Sequence, residues 1–236
     1  MTPAPRWTPA RRRAVEPSPQ QEALMQLLFA LRSHGVTDTR VLTAFERTPR
    51  EVFVDTTFEE RAYVDSALPI SCGQTISQPS VVGLMLQALE VTPRSKVLEV
   101  GAGSGYVAAL LAHLARRVYA IERHRDLSMA ARARITALDY GNVSIRTGDG
   151  TRGWTEQAPF DRIILSAAAE DAPSTLLDQL RPGGIMVLPV GQSDETQQLI
   201  RIDKTESGLA YRELTEVLFV PLVAGMPEEP PSSVET

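Results

Sequence analysis

Three acidic residues stand at the ends of three successive strand-like runs, and glycines accompany two of them. Glu99 closes "KVLEV" and leads into "GAGSGY"; Glu122 closes "RVYAIE"; Asp149-Gly150 follows "VSIRT". Gly101, Gly103 and Gly105 alternate through the first turn, where glycine permits tight turning and close approach of backbone to a ligand. A helix opening there offers N–H donors with no partner inside the helix. A dinucleotide fold would want G-x-G-x-x-G, with its third glycine at the position held by Tyr106. A carboxylate directly before the loop would also repel a pyrophosphate, so a nicotinamide oxidoreductase is disfavoured and a ligand without phosphate fits better. Glu122 is placed to accept from both hydroxyls of a ribose, and Asp149-Gly150 lies at the height of an adenine edge. Each element alone has a plainer reading, as a tight connection or a solvated strand end. Together they surround one crevice with negative charge, which suits a cationic ligand.

The elements that must hold these residues alternate. "KVLEV", "RVYAIE", "VSIRT", "FDRIILS", "GGIMVLPV" and "QQLIRI" read as strands, and residues 105–115, 126–138 and 173–181 read as helices between them. That order predicts an α/β fold: a mostly parallel, doubly wound sheet with right-handed crossovers and its ligand crevice beyond the carboxyl ends of the strands. "LIRID" and "YRELTEVLFVPLV" follow one another with only a loop between, which predicts an antiparallel edge. Upstream, Leu24, Leu27, Leu28 and Leu31 recur at helical spacing, and Val41, Leu42 and Phe45 follow the capping signal "TDT", giving an N-terminal helical extension. In such a crevice S-adenosylmethionine, with its sulfonium and ammonium, meets the description of a phosphate-free cation.

Composition sets the outer bounds. At 236 residues and 43% hydrophobic content the chain can bury one full core. With a net charge of −5 and no basic run in the folded region, binding to nucleic acid is not indicated. One cysteine excludes an internal disulfide, no apolar stretch reaches the length of a membrane span, and a cytoplasmic setting fits both. Residues 1–18 and 226–236 are rich in Pro, Ser and charge and are expected to be disordered tails. Between them lies a single domain, 19–225, with a helical substrate-side region at 19–95 and a cofactor-binding sheet at 96–225.

Beyond the cofactor loop the chain resembles the protein-L-isoaspartate O-methyltransferase family. The resemblance lies in "TPREVFV" with "AYVDSALPI", in "GQTISQP", in "VLEVGAGSGYVAALLA", in "GDGTRGWTEQAPFDRIILSAAA", in "LRPGGIMVLPVG" and in "FVPLV", in that order from about Thr48 to Val223. It implies a Rossmann-like class I methyltransferase that uses S-adenosylmethionine to methylate isoaspartyl residues in damaged proteins and peptides. It also implies roles for matching positions. Ser77 resembles the active-site serine, and Gln74, Thr75 and Ile76 the rest of the loop over the methyl donor. Glu99, Gly101, Gly103 and Gly105 match the methionine-side turn, Glu122 the ribose-binding acid, and Asp149 and Gly150 the adenine site. Val220, Pro221 and Leu222 match a segment whose backbone holds the substrate peptide. A specialised relative that forms aspartimide in one dedicated substrate, and a cofactor-binding scaffold without activity, are the alternatives.

The loop "GQTISQP" is the most diagnostic block. Pro79 suits the first turn of a helix, so residues 75–78 are expected at a helix N-terminus whose free N–H groups and dipole would favour a carboxylate. Cys72 beside the loop has no histidine or second cysteine with it and is expected to be a small packed residue. His34, His113 and His124 lack metal-ligand spacing, and no metal is expected. Trp154 and Phe160 are expected in the core. A monomer is the simplest assembly.

Overall fold

A computed structural model describes residues 17–192 and 195–227. The expected tails lie outside the described residues apart from 17–18 and 226–227, and Ser18 is an N-cap: its hydroxyl accepts from the Gln21 N–H while the Gln21 side chain accepts from the Ser18 N–H. It starts helix α1 (Pro19–Ser33). Helix α2 (Thr39–Arg47) begins at Asp38, whose carboxylate accepts the Arg40 N–H. Two single turns of 3-10 helix (Arg50–Phe53 and Thr56–Arg61) lead to a short hairpin, β1 (Leu68–Ile70) and β2 (Gln74–Ile76), and then to α3 (Pro79–Leu89).

The hairpin was not expected: "QTI" reads as loop because three residues are too few to show a period of two. Its register pairs Ile70 with Gln74, Pro69 with Thr75 and Leu68 with Ile76. Cys72 and Gly73 turn the corner at φ 59° and 67°. Cys72 is therefore exposed rather than packed, and burial together with the charges of Asp126 and Glu122 pushes its thiol pKa up, away from thiolate chemistry.

From residue 96 the expected alternation holds: β3 (Lys96–Val100), α4 (Tyr106–Leu114), β4 (Arg117–Glu122), α5 (Arg125–Ala137), β5 (Val143–Thr147), β6 (Phe160–Leu165), α6 (Ser174–Gln179), β7 (Leu180–Val190), β8 (Gln197–Thr205) and β9 (Gly208–Val217). Among the described residues they form one seven-stranded sheet in the order β5-β4-β3-β6-β7-β8-β9. Pairings are parallel from β5 through β7 and antiparallel from β7 to β8 and β8 to β9. The order steps outward from β3 in both directions, so β3 lies at the topological switch point, where ligands of open α/β sheets bind. The last strand ends at Val217, and "FVPLV" continues as an extended segment instead, held by a bridge between Pro221 and Ala168.

Successive residues of the central strands serve opposite faces. Val97, Ile164, Ile185 and Val187 join the core beneath α1 to α4; Leu98, Val100, Ile163, Leu165, Met186 and Leu188 join the core on the other face, with Phe160. Burial on both faces is why these strands read as unbroken apolar runs. Glu99 is the exception, and by alternation it shares the face of Val97. Trp154 lies away from the crevice, packed on Tyr119 with the Arg146 guanidinium over its ring. Leu98→Ala, which leaves a cavity at the centre of the sheet, is expected to lower stability by about 2–5 kcal/mol, to be checked by urea unfolding.

Candidate active site

The crevice above β3 has two lobes that share Thr75, Gly101, Gly103 and Ser166. The larger, outer lobe runs along the ends of β3 and β4 and is bounded by Gln74, Glu122, Arg123, His124, Gly150 and the stretch Val220–Val223. The inner lobe is lined by Ile76, Ser77, Glu99, Ala102, Ser104, Tyr106 and Val107.

The turn after β3 is built by left-handed glycines. Gly101, Gly103 and Gly105 have φ of 87°, 52° and 90°, a region where a side chain is strained. The Gly101 and Ala102 N–H groups both donate to the Ile121 carbonyl at 2.9 and 3.0 Å, which anchors the turn to the end of β4. Glu122 completes the anchor: its Oε2 accepts the Gly103 N–H at 2.8 Å and its Oε1 the His124 N–H at 2.9 Å. Each carboxylate oxygen keeps a second lone pair for a hydroxyl. Gly150 is required for space, since a Cβ there would sit 2.5 Å from Val100 Cγ1.

Glu99 is 0% exposed, and neither of its carboxylate oxygens has a hydrogen-bond partner. Burial, reinforced by the negative charge of Glu122, pushes its pKa up to about 8. A carboxylate left unpaired at the edge of an otherwise closed lobe fits a ligand that arrives with positive charge. The acidic, phosphate-averse donor set therefore fits S-adenosylmethionine, as the spacing suggested.

Twelve of the fourteen sequence-predicted positions line one lobe or the other: Gln74, Thr75, Ile76, Ser77, Glu99, Gly101, Gly103, Glu122, Gly150, Val220, Pro221 and Leu222. Leu222 lines the outer lobe and also packs into the second core. Ile76 touches the inner lobe but is chiefly a core residue, 4% exposed and paired with Leu68. Gly105 stands one step back, as the N-cap of α4. Asp149 does not line the crevice. Its Oδ1 accepts from the N–H and hydroxyl of Thr151, and its Oδ2 accepts the Gly225 N–H at 2.9 Å. Burial opposes ionisation there, but the Thr151 and Gly225 bonds hold its pKa below the usual carboxylate range. The Val220 carbonyl and the Leu222 N–H are both committed to Ala168, so Pro221 between them brings a carbonyl and no N–H.

The helix-terminus expectation is corrected. Pro79 does open α3, but a carboxylate already sits there: Asp65 Oδ1 accepts the Ser80 N–H at 2.8 Å and Oδ2 accepts Gln78 Nε2 at 3.2 Å. Asp65 is 14 residues before Pro79 in the chain, and no local spacing marks it as a cap. Ser166, Arg123, His124 and Tyr106 also line the crevice and were missed. Ser166 is the last residue of the predicted strand "FDRIILS", the same strand-end signal that led to Glu99 and Glu122, and could have been found by it.

Comparison with known proteins decides the family. The chain matches the family model of protein-L-isoaspartate(D-aspartate) O-methyltransferase over residues 21–226. It belongs to that family. Two relatives named protein-L-isoaspartate O-methyltransferase illustrate the closeness. The protein of Dinoroseobacter shibae is 60% identical over 212 residues, 90% of this chain and 98% of its own length. That of Ruegeria pomeroyi is 62% identical over 208 residues, 88% of this chain and 97% of its own. A solved structure of a protein-L-isoaspartate O-methyltransferase superposes with a TM-score of 0.77 at 27% identity, covering 86% of this chain and 66% of that one. A second, described as a putative protein-L-isoaspartate O-methyltransferase of Plasmodium falciparum in complex with S-adenosyl-L-homocysteine, gives 0.73 at 27% identity, covering 84% of this chain and 97% of that one. The isoaspartate methyltransferase family is S-adenosylmethionine-dependent, in agreement with the crevice and the fold.

The state of Glu99 sets a pH dependence. Its folded pKa, about 8, lies above the ordinary value of 4.5, so the free protein holds a proton there across that interval. A cationic ligand favours the ionised form, so binding expels the proton and affinity rises with pH. Calorimetry between pH 5.5 and 7.5 should show S-adenosylhomocysteine binding more tightly by up to about tenfold per pH unit, with proton release that scales with buffer ionisation enthalpy.

Proposed function

We propose that this chain is a protein repair enzyme that methylates the α-carboxylate of L-isoaspartyl residues in damaged proteins and peptides, with Ser77 contacting that carboxylate. The observation that carries the reading is the joining of Ser77 and the unpaired Glu99 in one inner lobe that shares Thr75, Gly101, Gly103 and Ser166 with the outer one. S-adenosylmethionine supplies an activated methyl group when bound. Glu99 offsets its positive end, Glu122 and the backbone around Gly150 hold its nucleoside, and Thr75 stands at both lobes.

No general base is needed, because the accepting carboxylate is ionised near neutral pH. Burial pushes the Tyr106 phenol up to about 12, so it stays protonated and competes for no proton. In this reading the Ser77 hydroxyl, on the inner lobe, donates to the carboxylate and fixes its approach. The Pro221 carbonyl is the backbone group left for an extended peptide. The ester then loses methanol when the next backbone nitrogen attacks it, giving a succinimide whose hydrolysis returns part of the residue to aspartate. No helix among the described residues is long and apolar enough to cross a membrane. We place the enzyme in the cytoplasm, as a monomer acting on isoaspartyl proteins.

A matched pair of peptides, one with isoaspartate and one with aspartate, tests the reaction with labelled methyl donor: label is expected on the isoaspartyl peptide alone, and label on neither would refute the reading. Ser77→Ala is expected to lower turnover by roughly 10- to 1000-fold, while S-adenosylhomocysteine affinity stays within about threefold. Unchanged turnover would remove Ser77 from the site.

A further inference from the structure

Behind Ser77 lies a charge that none of these roles uses. Arg50 is the largest fully buried side chain of the described residues, at 0% exposure. It makes one hydrogen bond, from Nη2 to the Ser77 carbonyl at 2.9 Å, while Nε and Nη1 have no partner. Its guanidinium lies 4.6 Å from the centroid of the Tyr106 ring, and the Tyr106 hydroxyl also lacks a partner. The nearby acids are engaged elsewhere: Asp65 caps α3, and Glu51 accepts from Tyr63 and Gln20. A guanidinium stays charged under all ordinary conditions, and burying one without an anion is costly unless an anion comes to it.

The two groups Arg50 touches, Ser77 and Tyr106, both line the inner lobe. A cation held against that wall, with Nε and Nη1 unbonded and its nearby carboxylate, Asp65, hydrogen-bonded to the α3 terminus instead, has the chemistry to attract the one anion the reaction needs. The α3 terminus cannot serve instead, because Asp65 fills it.

Resting on the reading of function above, we propose that Arg50 is a positioning residue for the methyl-accepting carboxylate. It fixes the Ser77 peptide through its carbonyl so that the hydroxyl faces the lobe, and its charge strengthens the contact that this hydroxyl makes with the carboxylate.

A mutant cycle of wild type, Arg50→Met, Ser77→Ala and the double variant tests this, read by peptide kinetics, S-adenosylhomocysteine affinity and melting temperature. Arg50→Met is expected to raise peptide KM and lower kcat/KM by about 10- to 100-fold, with cofactor affinity within about twofold. In the Ser77→Ala background its further effect should shrink to less than about threefold. A full multiplicative loss in that background, or an unchanged kcat/KM, would overturn the proposal and make Arg50 a structural strut. Should Arg50→Met not fold, Arg50→Lys replaces it: with the charge kept, peptide KM should stay near wild type while kcat falls, and the same loss with Ser77 absent would overturn the proposal. A wild type that methylates no isoaspartyl peptide would overturn the reading of function, and this proposal with it.

Discussion

A carboxylate with no partner, fully buried at the end of the central strand, is the constraint around which the rest is arranged. Placing Glu99 there costs desolvation, and the second carboxylate of Glu122 nearby raises the cost. The fold tolerates it because β3 is clamped on both sides by β4 and β6 and covered on both faces, so the strand end has nowhere else to go. The glycine turn that follows runs in left-handed backbone, and its Gly103 N–H donates to Glu122, not to Glu99. The sheet thus delivers to the crevice an unpaired carboxyl group that a cationic ligand can ionise, and keeps it there.

The N-terminal helices deliver the opposite charge. Arg50 enters on a single 3-10 turn and reaches the wall of the same lobe, with Tyr106 between the cation and the crevice. One side of the site awaits a cation and the other an anion. Methyl transfer from a sulfonium to a carboxylate consumes one charge of each sign, and loss of opposite charges is favoured in a dry, low-dielectric lobe over water. Burying both groups unpaired is costly for stability, and the proposed pair of ligands accounts for that cost.

Much of this was legible in the sequence because it rests on local signals. Strand ends, alternating glycines and acids placed one per strand led to Glu99, Glu122 and Gly150, which line the crevice, and apolar runs marked which segments are strands. Helical leucine spacing marked α1, and the capping signal at Asp38 marked α2. What was not legible depends on contacts distant in sequence or on elements too short for a period. The β1–β2 hairpin has three-residue strands; Asp65 caps a helix that starts 14 residues later; Arg50 reads as one more charge in "TPREVFV" until folding buries it. Asp149 does not line the crevice, because its carboxylate is tied to Thr151 and Gly225, a contact across 76 residues that no spacing announces.

The central claim is that Glu99 is kept buried and unpaired at a cost to stability because the cofactor needs it. Glu99→Gln tests both halves at once, through urea unfolding across pH and calorimetry with S-adenosylmethionine. In the wild type the folded state binds an extra proton between pH 4.5 and about 8, so stability should fall as pH rises through that window. The variant should lose this decline and bind the cofactor at least about tenfold more weakly, as one lost charge contact predicts. A variant with the same pH slope and the same affinity would contradict the account.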